Sequence, residues 1–188
     1  MAHNRITYNV IQSPIGELVA GASPAGCCVC EFHDRGGFER IRLRVERRHG
    51  MEMAKGNHPL IESMEHQLAE YFGGRRTTFE LSLDLKGSSF ELSVWTKLLA
   101  IPYGATCAYG ELAKLLGKPG AARAVGKANG SNFLAIIVPC HRVIQEDGSL
   151  RGYGGGLWRK KFLLDLEDAH AGATAKKVTR QERFSFAV

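Results

Sequence analysis

The sequence predicts an α+β fold in which a first half with an antiparallel sheet precedes a mostly helical second half. In the first half, short apolar alternations separated by turn residues indicate strands, and residues 60–72 repeat apolar side chains at helical spacing. In the second half, two short helical patterns at residues 109–116 and 121–130 flank a glycine-containing turn. This arrangement is typical of a helix-turn-helix, although an αα-hairpin inside a core has the same pattern.

Three strands are expected first, at residues 6–12, 17–22 and 27–33. Turns at residues 13–16 and 23–26 each contain a proline and a glycine, and they join the strands into an antiparallel meander. Residues 38–48 then carry apolar residues at helical spacing, with five arginines between them. A solvated helix face explains these arginines more simply than a nucleic-acid patch does.

The first half ends with a helix, a strand and a boundary. Gly73 and Gly74 end the helix predicted at residues 60–72. Residues 78–85 alternate strictly between apolar and polar, which predicts the last strand of this half. Residues 86–89 read as a boundary, after which Ser88 or Ser89 is positioned to cap a helix.

A reactive cysteine is suggested by the segment that follows the two short helices. Residues 136–138 are branched and apolar, which predicts the end of a buried strand, and Pro139 stops the strand there. Cys140 and His141 come next. A thiolate is the reactive form of cysteine, and a nearby base or cation produces it. Taken alone, however, a Cys-His pair is more typical of a buried core, because free cysteine is among the most buried residue types.

The remaining elements are a hairpin, a glycine-rich loop and a closing helix. Asp147-Gly148 is a hairpin signal between residues 142–144 and 149–153. The glycine-rich residues 152–156 lack the Lys-Ser/Thr ending of a phosphate-binding loop, so we expect them to let backbone approach a bound group closely. The closing helix, at residues 157–166, is expected to bury three residues: Phe162, Leu163 and Leu166.

Composition excludes some classes of protein and mildly favours others. The net charge of +6 and the pI of about 9.2 favour polyanionic partners, but only weakly. We see no signal peptide and no apolar stretch long enough to cross a bilayer. Five cysteines show no disulfide framework, so a reducing compartment is expected, the cytoplasm or, for a eukaryotic source, the nucleus.

Several motifs together resemble the O6-alkylguanine-DNA alkyltransferases, in their bacterial two-domain form. The matching segments are Val138-Pro139-Cys140-His141-Arg142-Val143, residues 108–113, residues 121–126, residues 130–132, Gly152-Tyr153 and residues 163–167. They occur in the family's order and at its spacings. The resemblance is dense from about residue 90 to residue 167 and thin before that.

The resemblance implies a nucleophile and its supporting groups. Cys140 would take an alkyl group from guanine O6, His141 would act on the thiol through a water, and Glu167 would polarise His141. Neighbouring side chains in a strand point in opposite directions, so a bridging water or an irregular backbone after Pro139 is needed. Asn132 would hold the turn that carries the site.

The resemblance also implies how guanine and DNA would be held. Tyr109 would give a proton to the departing guanine, and Val143, Tyr153 and Gly154 would form the alkylguanine pocket. Arg123 would fill the gap left by the extruded base. Small residues of the same helix would let it enter the minor groove, namely Ala122, Ala124, Gly126 and Ala128.

Three features depart from the family pattern or add to it. Phe133 stands where proline is common, which we expect to change the pocket entrance. Leu166 and Asp168 flank Glu167, where the family has histidine and glycine. Some relatives hold a structural zinc in the first domain, but strand alternation puts Cys27 and Cys30 on opposite faces, so strand packing is preferred for the cluster of Cys27, Cys28, Cys30 and His33.

The resemblance therefore predicts a single-turnover DNA repair protein without cofactor, metal or membrane partner. We expect an N-terminal α/β domain at residues 1–86 (ribonuclease H-like), an alkyltransferase domain at 87–169 and a mobile basic tail at 170–188. The partner would be double-stranded DNA with O6-alkylguanine, and less firmly O4-alkylthymine, bound by a monomer. The alternatives are a module that recognises alkylated DNA without repairing it, a transcription factor and a thiol protease.

Overall fold

The computed structural model describes residues 4–171, which divide into two compact units. Among these residues, the first unit comprises 4–87 together with 133–137, and the second comprises 88–132 together with 138–171. The α+β class predicted from the sequence is confirmed. Most of the tail predicted to be mobile, from residue 172 onward, lies outside the described residues.

The first unit is built on a sheet with strand order β3-β2-β1-β4. Its strands are β1 (Ile6–Ile11), β2 (Leu18–Ser23), β3 (Gly26–Phe32) and β4 (Met53–Lys55). The predicted meander is confirmed, because β2 pairs antiparallel with both β1 and β3. The short β4 was not predicted, and it joins the sheet parallel to β1, with Ile6 opposite Met53.

Two helices complete the first unit, α1 (Phe38–His49) and α2 (Pro59–Phe72). The helix α1 buries Ile41 and Val45 in the same apolar cluster as the sheet residues Ile6 and Val19. At the start of α2, Pro59 occupies a position where its missing N–H costs nothing, and His58 Nδ1 accepts from Leu60 N at 3.1 Å. The predicted apolar face of α2 is buried as expected.

The strand predicted at residues 78–85 is wrong. Leu83 makes only an isolated bridge to Cys27, and the chain is otherwise extended without a ladder. A side chain takes the place of a neighbouring strand, because Gln67 of α2 donates to Glu80 O at 3.1 Å and accepts from Glu80 N at 2.8 Å. Strict alternation predicted an extended backbone correctly but could not supply a pairing partner.

The second unit is mostly helical. Its helices are α3 (Ser89–Leu99), α4 (Tyr109–Leu115), α5 (Ala122–Gly130) and α6 (Leu157–His170), and its short strands are β5 (Cys107–Ala108) and β6 (Val143–Ile144). Ser88 caps α3 in a reciprocal capping box with Glu91, as the boundary residues predicted. The helices α4 and α5 pack together across a tight turn, which gives the helix-turn-helix arrangement.

The strand end predicted before Cys140 is also wrong. Residues 135–138 form turns and a bend, and Ile136 has a φ of 71°, in the left-handed region. The backbone pairs only once, where Cys30 N donates to Phe133 O at 2.7 Å and Ala135 N donates to Cys30 O at 2.8 Å. A β-branched residue in this region is strained, so the surrounding contacts must hold it there.

Two further expectations for the second unit need correction. Gln145 N donates to Ser149 O at 3.1 Å, so the predicted turn exists, but residues 149–153 form no strand. The strand β6 pairs instead with β5, in parallel, with Val143 opposite Cys107. In α6, Leu163 is buried as expected, whereas Phe162 is exposed and Leu166 is only half-buried. Within residues 4–171, no helix combines the length and the apolar character that crossing a membrane requires.

Candidate active site

Cys140 begins a one-turn 3₁₀ helix, Cys140–Arg142, directly after Pro139. Its thiol is buried, and Sγ accepts from Asn132 Nδ2 at 3.2 Å. The same amide donates to Val138 O at 3.0 Å, and Asn129 Nδ2 donates to Cys140 O at 3.1 Å. Two asparagines at the end of α5 therefore hold the cysteine segment by both its backbone and its sulfur.

The 3₁₀ turn directs the next two side chains toward one buried carboxylate. His141 Nε2 lies 2.8 Å from Glu167 Oε1, and both residues are 0% exposed. Arg142 donates to the same carboxylate through Nε and Nη2, at 3.0 and 2.9 Å. Gly104 N also donates to Glu167 Oε2, at 3.0 Å. The predicted Cys140, His141 and Glu167 therefore lie together, and the irregular backbone expected after Pro139 is present.

Gly104 is required where it approaches Glu167. Its φ is +74°, and a Cβ on it would lie 2.5 Å from Ala171 Cβ. Both the left-handed backbone and the close approach exclude a larger residue. The loop carrying Gly104 can therefore deliver its N–H to the buried carboxylate.

The ionisation states within this network follow from burial and charge. Burial opposes ionisation of Glu167, but the hydrogen bonds and charges of His141 and Arg142 outweigh it and hold the pKa of this carboxyl well below its usual range. Burial lowers the pKa of His141 despite the neighbouring carboxylate. At neutral pH the arrangement is a neutral imidazole bound to a carboxylate, which is suited to accept a proton.

One nitrogen of this imidazole forms no hydrogen bond within the described part of the chain. His141 Nδ1 is buried and forms no hydrogen bond with any residue between 4 and 171. A buried polar atom without a partner is costly, and it is commonly satisfied by a small polar group such as water. The free nitrogen is thus the one through which His141 could act.

Tyr109, at the start of α4, faces the cysteine from a second element. Its hydroxyl donates to Arg151 O at 3.3 Å. Burial, followed by the charge that Cys140 carries as a thiolate, raises the pKa of Tyr109, so the phenol stays protonated. A protonated phenol beside a cysteine is able to donate a proton to a departing group.

Lys160 is a buried cation that sequence reasoning missed. It is 0% exposed, and Nζ donates to Val143 O at 2.6 Å and to Arg151 O at 2.9 Å. Burial lowers its pKa to about 8, while a Cys140 thiolate would act in the opposite direction. Its ammonium also lies 5.9 Å from the centre of the Tyr109 ring. A fully buried lysine is rare, and helical periodicity alone does not reveal it.

A cleft of about 330 Å³ opens between α4, α5 and the loop after β6. Four residues of the two helices that were predicted to act in catalysis or DNA binding line this cleft, namely Tyr109, Ala122, Arg123 and Gly126. Arg123 and Ala124 are exposed, but Ala128 is 3% exposed, and its carbonyl accepts from Trp95 Nε1 at 2.9 Å. Ala128 packs α5 against α3, so the expectation that it faces DNA is wrong.

The three residues predicted for the alkylguanine pocket lie on two segments. Val143 follows the 3₁₀ helix, its N–H donates to Cys140 O, and its carbonyl accepts from Lys160. Tyr153 is half-buried and Gly154 is exposed, in the loop that precedes α6. A carbonyl has two acceptor positions, so Val143 O retains one for a ligand.

Arg142 and Asn129 are the other site residues that sequence reasoning did not find. Arg142 lies in the motif around Cys140, but no role was assigned to it from the sequence. A charged residue directly after an apolar run is rarely buried unless it is paired, so its position could have indicated a buried ion pair. Asn129, like Lys160, gave no local signal. Its contact to Cys140 depends on where α5 ends in space.

The cysteine cluster of the first unit lies within β3 and packs in the core. Burial raises the pKa of Cys27 to about 11 and that of Cys28 to about 12, so these thiols remain protonated. Between residues 4 and 171, no group of three or more His, Cys, Asp or Glu side chains is arranged to hold a metal. Cys27, Cys28 and Cys30 are buried within β3, which agrees with strand packing for these cysteines.

Phe133 belongs to the first unit rather than to the cleft. Its ring is buried in the apolar cluster, and the guanidinium groups of Arg44 and Arg48 stack on it at 4.6 and 5.0 Å. Phe133 is not among the residues that line the cleft of about 330 Å³. The expectation that it changes the entrance to an alkyl pocket stays a prediction.

Comparison with known proteins defines the class that this fold and site represent. A family model described as "6-O-methylguanine DNA methyltransferase, DNA binding domain" matches residues 89–169. The matched residues include the buried Cys140, so the fold and the site described above belong to a DNA-binding methyltransferase domain. The chain belongs to the methylated-DNA–protein-cysteine methyltransferase family, because a member of that family is 58% identical to it over 90% of the chain.

Relatives extend over nearly the whole chain. A methylated-DNA–protein-cysteine methyltransferase from Mycolicibacterium paratuberculosis is 58% identical over 171 residues, which cover 90% of this chain and 96% of that protein. A crystal structure of the O6-methylguanine methyltransferase of Mycobacterium tuberculosis matches with a TM-score of 0.76 and 43% identity, covering 89% and 96% of the two chains. A structure of the M. tuberculosis protein in complex with DNA matches with a TM-score of 0.75, at the same identity and coverage.

Proposed function

We propose that this protein repairs O6-alkylguanine in double-stranded DNA by moving the alkyl group to its own Cys140. The observation that carries the proposal is the buried thiol followed directly by His141, which is itself bound to Glu167 at 2.8 Å. In the displacement, sulfur forms a bond to the alkyl carbon as the bond from that carbon to O6 breaks. The resulting thioether is stable, so each molecule acts once. Repair of O4-alkylthymine by the same step is a less firmly supported extension.

Proton transfer accompanies the displacement at both ends. A water between His141 Nδ1 and the thiol would pass the thiol proton to the neutral imidazole, and the Glu167 carboxylate would stabilise the imidazolium that forms. Tyr109 would give its proton to the guanine ring, because a neutral guanine is a better leaving group than its anion. Asn132 would orient the sulfur through its 3.2 Å contact.

The guanine would be held between the cysteine segment and the glycine-rich loop. Val143 O would accept from the guanine edge, and the backbone of Gly154 would contact its other edge. Tyr153 would form a wall of the pocket. Lys160, which binds the carbonyls of both segments, would keep them at a constant separation.

DNA would be bound by α5 in the minor groove. Arg123 is exposed beside the cleft, where it could fill the space left by an extruded guanine. Ala122, Ala124 and Gly126 leave the helix surface flat enough for a groove about 6 Å wide. The DNA complex of the M. tuberculosis relative supports nucleic acid as the partner.

We further propose that residues 87–169 form the functional domain and that residues 1–86 support it. A monomer in the cytoplasm would suffice, since every group named above comes from one chain. No step requires a cofactor.

Intact mass measurement tests this function. The protein is incubated with a short duplex that carries one O6-methylguanine, and we expect a gain of one methylene equivalent, mapped to Cys140. Cys140→Ser should gain nothing. Cys107→Ser is the matched control, since burial raises the pKa of that thiol to about 12, and it should react like the parent. Lesion DNA that binds without any mass gain would contradict the proposal and indicate a recognition module.

A further inference from the structure

The loop that precedes α6 is rich in glycine and is tied down at both ends. Four of its five residues from 152 to 156 are glycines, so the free chain has an unusually large number of accessible conformations. At the first end, Arg151 O accepts from Lys160 Nζ at 2.9 Å and from the Tyr109 hydroxyl at 3.3 Å. At the last end, Gly155 O accepts from Arg159 Nη1 at 2.9 Å.

Arg159 is buried although it lies in the first turn of a surface helix. It is 6% exposed, and its guanidinium lies 4.6 Å from the centre of the Trp158 ring. Trp158 itself is 57% exposed, which is unusual for so large an apolar side chain. Because the exposed indole lies over the buried guanidinium, we expect it to shield the bond to Gly155 O from water.

The indole also lies against the loop. A Cβ on Gly156 would be 3.4 Å from Trp158 Cδ1, and the φ of Gly156 is +91°. The indole therefore lies close to both the guanidinium of Arg159 and the backbone of Gly156. These two neighbours give the exposed tryptophan a role outside the core.

We infer that Arg159 is a positioning residue that, under the Trp158 indole, clips the glycine-rich loop at Gly155 and thereby sets the backbone of Gly154 for guanine recognition. The inference rests on the proposed function. Arg159 donates to the loop that would hold the extruded base. The clip therefore acts on the binding of that base, equally in the ground state and the transition state, and not on the transfer step.

Arg159→Met tests the clip, because methionine keeps most of the volume and removes the donor. Protein in excess is mixed with a short duplex carrying one O6-methylguanine, and the rate of methyl transfer is followed as a function of protein concentration. We expect the half-saturating concentration to rise by about tenfold, as loss of one charge-assisted hydrogen bond implies, with the limiting rate within about threefold of the parent. Affinity for the undamaged duplex should not change.

Matched variants show whether the effect is specific. Lys161→Met makes the same change at the next position, where the side chain is exposed and pairs with Asp165, and it should behave like the parent. Arg159→Lys keeps a charged donor and should recover part of the loss. Trp158→Ala removes only an exposed side chain, and we expect the half-saturating concentration to rise by about threefold.

The outcomes separate the clip from the proposed function. If Arg159→Met has the half-saturation of the parent, or loses only its limiting rate, the inference is overturned. If Arg159→Met does not fold, Trp158→Ala decides, and a parent-like value for it overturns the inference. If the parent itself transfers no methyl group, the proposed function fails. The clip is then tested by acrylamide quenching of Trp158 fluorescence, obtained by subtracting the signal of Trp158→Phe. We expect Arg159→Met to increase this quenching. Unchanged quenching would overturn the clip.

Discussion

At the scale of single residues, Glu167 is the group on which several hydrogen bonds of the site converge. Its two oxygens accept from His141, Arg142 and Gly104, and no part of the residue is exposed. A buried carboxylate with one cationic partner and one imidazole both orients the imidazole and stabilises it when it gains a proton. Removing its charge should therefore affect reactivity and stability together.

Glu167→Gln keeps the shape of this side chain and removes its charge. We expect the single-turnover rate of methyl transfer to fall by roughly 100-fold, at the low end of what general bases contribute. We also expect the free energy of unfolding to fall by roughly 3 kcal/mol, because Arg142 would remain buried without its carboxylate. Rapid-quench kinetics and urea unfolding measure the two effects.

Asp165→Asn provides the control for that change. Asp165 lies on the same helix, but it is exposed and pairs with Lys161 at the surface, where such pairs contribute little. Both measurements should match the parent. A parent-like rate for Glu167→Gln would remove Glu167 from the proposed relay.

At the scale of elements, α5 joins two tasks in nine residues. One face is exposed and carries Arg123 and Ala124, and the other buries Val125 and Asn129. Asn129 at the end of the helix, and Asn132 just beyond it, bind the cysteine segment. The helix that would enter the DNA groove is thus the one that holds the nucleophile, so the two sites keep a constant separation.

Arg123→Ala should weaken repair without altering the thiol. We expect the repair rate on duplex DNA at subsaturating concentration to fall by about tenfold or more, because the extruded base loses the group that replaces it in the stack. Lys127→Ala, an exposed cation one turn further along the same helix, should cause a smaller loss that high salt reduces. Alkylation of Cys140 by iodoacetamide should be unchanged in both variants. Equal repair by Arg123→Ala and the parent would exclude the finger role.

At the scale of the whole molecule, buried histidines couple stability to pH. Burial lowers the pKa of His49 in the first unit and of His141 in the second from the ordinary value of 6.5. The pKa of Glu167 lies well below its ordinary value of 4.5, because His141 and Arg142 stabilise the carboxylate. Below these ordinary values the unfolded chain binds protons that the folded chain does not bind, so stability must fall as the pH falls.

The free energy of unfolding should therefore decrease steadily from about pH 6.5 downward, by about 1.4 kcal/mol per pH unit for each group that remains unprotonated in the fold. The urea midpoint should decrease with it. The decrease should become steeper below about pH 4.5, where Glu167 begins to contribute. Circular dichroism at several pH values measures it. His49→Asn should reduce the slope, because it removes one of these two buried histidines. A constant midpoint between pH 7 and pH 5 would contradict this coupling.

The sequence by itself determined the features that depend on local chemistry. Alternation and turn residues specified the meander of β1 to β3, helical spacing specified α2, and Ser88 with Glu91 specified the start of α3. The motif around Cys140, together with the other motifs in the same order, marked the proposed nucleophile and its histidine. Each of these signals is contained within a few consecutive residues, so no knowledge of distant contacts was needed.

Only the tertiary structure decided which distant groups meet. Arg142 reaches Glu167 across 25 residues, and Lys160 reaches Val143 across 17. Within residues 78–85, Glu80 is hydrogen-bonded to the side chain of Gln67, and residues 135–138 form turns and a bend. The sequence pattern of both segments had predicted strands. A strand exists only where another strand offers its backbone, and a buried charge survives only where a partner arrives from elsewhere in the chain, so neither could be read from its own segment.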